Sequence, residues 1–94
     1  MFATIALSFL AGVVGGNAFP HFVKGITREA YPNVFGGSPV SNLAAGWVGL
    51  ILAFVIASFV DIKSYPFISA AAAALGTLLI GLFHAGPGAF GRKP

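Results

Sequence analysis

Three apolar runs, Phe2 to Phe19, Asn42 to Val60 and Pro66 to Ala85, occupy most of the chain, and none of them contains Asp, Glu, Lys or Arg. A helix needs roughly 20 apolar residues to cross a hydrocarbon core about 30 Å thick, so each run is long enough to span once. With 57% hydrophobic and only 7% charged residues, the chain cannot cover a surface in water. The pattern therefore predicts an all-α integral membrane protein, a single three-pass domain over residues 1–94. What remains is one loop, one turn and the tail Gly86 to Pro94, which leaves no room for a soluble catalytic domain.

Charge and composition narrow the chemistry further. The chain has no cysteine, which removes disulfides, thiolate nucleophiles and thiolate metal sites. Its only carboxylates, Glu29 and Asp61, fall on opposite membrane sides in the expected topology and cannot form an acid/base pair. No Ser-His-acid arrangement, dinucleotide fingerprint or phosphate loop is present. The reading is of a protein that is not an enzyme. A net charge of +3 rests on five Lys and Arg, which points to headgroups beside the membrane rather than to nucleic acid. No Lys or Arg precedes the first run, which argues against reading it as a cleaved signal peptide.

The first run leads into G-N-A-F-P-H-F-V-K-G-I-T-R, Gly16 to Arg28, where Pro20 removes a backbone donor and its ring opposes a continuing helix. A break or kink is expected there, followed by an amphipathic interfacial helix over about residues 18–30. On that helix Asn17, His21, Lys24 and Arg28 share one face, while Phe19, Phe22, Val23 and Ile26 share the other. Lys24 and Arg28 would meet lipid headgroups. Gly36-Gly37 makes a flexible corner, and Ser38-Pro39 reads as a cap with proline at the first helical position, opening the second span. Asp61 to Pro66 is short enough to predict an antiparallel hairpin between spans two and three, and Gly86-Pro87-Gly88 closes the third. Lys24, Arg28, Arg92 and Lys93 then fall on one side against Lys63 on the other. The positive-inside rule places the N-terminus outside and the C-terminus in the cytoplasm.

Each span also carries small residues at four-residue spacing, the device by which membrane helices approach closely. The rows are Thr4, Ser8, Gly12 and Gly16; Ala45, Gly49, Ala53 and Ala57; and Ser69, Ala73, Thr77, Gly81 and Ala85. Three rows exceed what one hairpin needs, so a row left over would serve a second copy or another membrane subunit. The expected role is a packing, accessory or scaffolding subunit that self-associates or docks into a larger complex. Its partners are membrane lipid and membrane protein.

The topology gathers Asn17, His21, Asn42 and His84 at one depth, with Trp47 close below as a belt aromatic. One account is structural: Asn17 caps a helix, His21 bonds a carbonyl freed by Pro20, and His84 reaches the interface. A second is a small homo-oligomeric transporter or channel with Asn17, His21 and Asn42 as a polar or proton-relay path. A third is a bis-histidine haem or metal site formed by His21 and His84, although no carboxylate lies near them in sequence. No cofactor or metal is called for by any motif.

The run G-N-A-F-P-H-F-V-K-G-I, followed by S-P-V-S-N at Ser38 to Asn42 and by Gly46-Trp47, resembles a group of small bacterial membrane proteins. The resemblance covers about the first half of the chain. It implies a bacterial inner-membrane setting and no particular reaction. The chain does not resemble the small multidrug transporters, which have four spans and a membrane-embedded glutamate.

Overall fold

A computed structural model describes residues 1–86. It contains three helices: α1, Phe2–Ile26; α2, Pro39–Ala57; and α3, Pro66–Ala85. All three are long and apolar enough to cross a membrane, and no strand occurs among the described residues. Helices suit this setting because every backbone donor and acceptor along a span must be satisfied within the span itself. Large side chains such as Phe2, Phe54, Phe67 and Leu78 stand exposed on the outer surface, as lipid requires. The tail beyond Gly86, with Arg92 and Lys93, lies outside the described residues.

The expected interfacial helix is absent. α1 continues as one helix through Pro20 to Ile26, and residues 18–26 are its last turns. The reason lies in packing. Ala18, Phe22 and Gly25 are pressed against Gly49, Gly46 and Leu43 of α2, so close that a Cβ on any of the three glycines would strike the opposing residue. One lost hydrogen bond at Pro20 is outweighed by this continuous seam.

α1 ends at Thr27 with Arg28 in the left-handed region, φ 62°. The Glu29 N–H donates to Lys24 O at 2.9 Å and the Arg28 N–H to Gly25 O at 3.2 Å, which satisfies the last carbonyls. Glycine adopts that conformation without the steric cost of about 1–2 kcal/mol that an L side chain incurs. Arg28→Gly should therefore raise stability by about 1 kcal/mol, measurable as a higher midpoint in reversible denaturant titration in mixed micelles. Beside it the Glu29 carboxylate is held below its usual range, chiefly by the Thr27 hydroxyl at 2.8 Å and then by the Lys24 ammonium at 3.2 Å.

The second helix starts as its sequence implies: Ser38 Oγ accepts from the Ser41 N–H at 3.1 Å, and Pro39 occupies the first turn. At the other end, Asp61 Oδ1 accepts from the Ser64 N–H at 3.3 Å and organises the turn into α3. That turn reverses the chain without making a packed hairpin, because no Cα of α2 comes within 8 Å of one in α3. Both helices pack on α1 instead, which makes the first helix the centre of the molecule.

Two separate small-residue faces of α1 make this possible. Towards α3, Gly12 faces the Ala73 backbone, Gly16 faces Thr77 and Ile80, and Gly76 faces Phe9 and Val13; Ser8 is buried on the same side. Thr77 Oγ1 lies 2.9 Å from Ala73 O on its own helix and 3.4 Å from Gly12 O across the interface. Towards α2, Gly15 meets Ala53 and Ala18 meets Gly49. The rows read from sequence are thus largely used inside one chain. Gly81 stands outside the seam: among the described residues nothing lies within 4 Å of the Cβ it lacks, and Ala85 beyond it is exposed.

Candidate functional site

At the end of the bundle where α1 finishes and α2 begins, Asn42 is fully buried, 0% exposed, and all its hydrogen-bonding capacity is directed. Its amide nitrogen donates to Tyr31 O at 2.8 Å and to Ser38 O at 3.0 Å. Those two carbonyls fix the amide orientation, so Oδ1 is the atom left to face His21 Nδ1 at 2.6 Å. An amide oxygen only accepts, hence Nδ1 of His21 carries the proton. Nε2 is then the ring's acceptor, and it makes no hydrogen bond among the described residues. His21 is 8% exposed, with the Tyr31 ring edge-on at 5.2 Å and the His84 ring at 6.3 Å.

His84 Nδ1 lies 2.8 Å from Ile80 O, so that nitrogen also donates. The two histidines meet at a helix crossing, and no third ligating His, Asp or Glu side chain joins them among the described residues. The Lys24 ammonium sits 5.9 Å from the Tyr31 ring centroid while paired with Glu29.

The loop folds over this cluster. Tyr31 N–H donates to Gly37 O at 3.0 Å, closing a turn in which Gly36 has φ 113°, a conformation suited to glycine. Asn33 Oδ1 accepts from the Phe35 N–H at 3.3 Å, and Ser41 Oγ donates to Phe35 O at 3.0 Å. Tyr31 and Asn33 carry no sequence signal beyond a helix end and a turn. Their part is to supply a backbone carbonyl and to brace the loop.

Beneath the loop lies a cleft of about 560 Å³. Its floor is α1, at Val13, Val14, Asn17, Ala18 and His21; its walls are Val48 and Leu52 of α2 and Ile80 and Phe83 of α3; Asn33 to Phe35 roof it. The cleft exists because α2 and α3 both pack on α1 and their backbones stay more than 8 Å apart, Cα to Cα. Asn17 is exposed within it, mid-helix, with no side-chain hydrogen bond among the described residues, so it caps nothing. His21 bonds the Asn42 side chain rather than a carbonyl freed by Pro20.

Asn42 does not line the cleft, so Asn17, His21 and Asn42 form no shared polar path; Asn42 stands behind His21 and orients it. Trp47 is not brought to the site. It is 59% exposed, outside the cleft, beside Val40, Leu43 and Ala44. Ala45 lines the cleft instead of the α1 seam, where Gly46 takes its expected place. Arg28 is exposed at the helix end, and Lys24 is half-buried against Glu29 and Tyr31.

Together these features define a three-pass, all-α membrane protein with a histidine-asparagine cluster at one end and a lateral cleft beside it. The chain matches no protein-family model, no curated protein and no solved structure.

Proposed function

We propose that the protein binds a membrane-soluble small molecule in the cleft between α2 and α3. The observation that carries this reading is His21: nine-tenths buried, its Nδ1 committed to Asn42, it lines a cleft that is otherwise mostly apolar, and its Nε2 has no hydrogen bond among the described residues. A few placed polar groups in an apolar concavity of about 300–1,000 Å³ is the usual make-up of a ligand site. The setting we propose is a bacterial inner membrane, with the N-terminus outside and the loop between α1 and α2 in the cytoplasm. Lys24, Arg28, Arg92 and Lys93 support that orientation.

The test is purification in native lipid followed by mass spectrometry of what accompanies the chain. One class of membrane-soluble molecule should be retained by the parent protein and lost from Ala45→Phe, which fills the cleft from its wall. Identical retained material in both would overturn the reading.

A second reading, assembly with another copy or a membrane subunit, is favoured by the uncovered end of the α3 small-residue row. Gly81 and Ala85 offer a helix the close approach that Gly12 and Gly76 give α1 and α3. The two readings are compatible, because Gly81 and Ala85 are not among the residues lining the cleft.

A further inference from the structure

Resting on the reading of the cleft as a ligand site, we infer the chemical class of its occupant: an uncharged amphiphile whose head carries a hydroxyl group. Among the described residues no Lys, Arg, Asp or Glu lines the cleft, so a phosphate, carboxylate or ammonium head would meet no counter-charge there, a severe desolvation cost away from water. The nearby cation, Lys24, is already paired with Glu29 and lies over the Tyr31 ring. Charge therefore selects a neutral head.

Hydrogen-bond type narrows it again. His21 Nε2 is an acceptor, because its partner nitrogen holds the proton against Asn42. Asn17, four residues earlier on the same helix face, offers both an amide N–H and an amide oxygen, and neither is used among the described residues. A hydroxyl matches this pair, donating to His21 Nε2 and accepting from Asn17 Nδ2. An ester, ketone or ether oxygen can only accept, and it would leave the histidine acceptor unmet.

Shape supplies the rest. The polar groups Asn17, His21 and Asn33 cluster near the loop, whereas Val13, Leu52 and Ile80 extend the cleft along the helices away from it. A molecule seated head to loop would lay its chain along those residues. Since no Cα of α2 comes within 8 Å of one in α3, the gap between them gives it a sideways entry from the bilayer.

The experiment uses the full chain in bilayer nanodiscs with a long-chain alcohol bearing a photoactivatable diazirine. Its competitors are the unlabelled alcohol, the methyl ether of the same chain, and the corresponding fatty acid at neutral pH. Labelling should be saturable and map by mass spectrometry to residues of the cleft. The alcohol should compete about tenfold better than the ether, the effect of one unmet hydrogen bond in a site built for it. Asn17→Leu should weaken the alcohol by a similar factor without unfolding the chain, because the Asn17 side chain has no hydrogen bond among the described residues. Histidine ¹⁵N spectra should show His21 Nε2 shifting on addition of alcohol and staying put with ether. Equal competition by alcohol, ether and acid would overturn the hydroxyl assignment while leaving the cleft as a ligand site. Preference for the fatty acid would overturn the neutral-head argument. Saturable labelling that Ala45→Phe leaves unchanged would overturn the cleft itself.

Discussion

Gly12→Leu should separate α3 from α1 under conditions in which the parent chain stays packed. A Cβ on Gly12 would run into the Ala73 carbonyl, and one on Gly76 into the Phe9 carbonyl, so the two helices touch backbone to backbone from both sides. Side chains yield to an added methyl by changing rotamer; a helical backbone yields only by moving the whole helix. Overpacking a core costs about 1–3 kcal/mol where side chains can adjust, and here the cost should reach about 3 kcal/mol or more. Spin labels on the exposed Ala6 and Ala74 would report it, as a defined interhelix distance that broadens in the variant. Gly81→Leu is the control, since that position is open: the distance should be kept, and stability should hold or rise by up to about 1 kcal/mol from helix propensity. If copies associate through the end of α3, the same control should reduce counted photobleaching steps in lipid to one. A Gly12→Leu chain with an unaltered distance would show that this seam does not hold α3.

The reach of sequence reasoning differs between elements, and the difference has physical causes. The spans were legible because the bilayer imposes a length, and the start of α2 was legible because Ser38 and Pro39 act locally. Pro20 was misleading for the opposite reason: its local effect opposes a helix, but Ala18, Phe22 and Gly25 are held by Gly49, Gly46 and Leu43 of α2, contacts distant in sequence. The central place of α1 had a signal that four-residue rows alone concealed. Gly15, Ala18 and Gly25 form a second small face beside Ser8, Gly12 and Gly16, and a helix with two such faces has two neighbours. The convergence of His21, Asn42 and His84 followed from topology, since helix ends on one side must meet at one depth. Which of them would bond was not legible, because Tyr31 contributes a carbonyl that any residue possesses. Trp47 was displaced by one residue's rotation: Asn42 and Gly46 fix the buried face of α2, and the next position turns about 100° away to the outer surface.

Asn42→Leu should be the most damaging single change at the polar end, although it keeps the side chain's volume. The leucine leaves Tyr31 O without the amide donor and His21 Nδ1 without its acceptor, both away from water, whereas Ser38 O keeps the backbone N–H of residue 42. Each buried hydrogen-bond partner lost costs about 1–3 kcal/mol, so the two together should cost about 2–6 kcal/mol. Asn42→Asp separates the contributions: it retains an acceptor for His21 but sets a second oxygen against the carbonyls of Tyr31 and Ser38. Stability should fall in both variants. The Nδ1–H form of His21, read from histidine ¹⁵N shifts, should be lost with leucine and kept with aspartate. Ligand retention follows the ring, because the presentation of Nε2 to the cleft depends on what holds Nδ1. A leucine variant that keeps its tautomer and its stability would mean that Asn42 fills space and nothing more. The expected result makes it the residue through which the loop, the second helix and the histidine act as one unit.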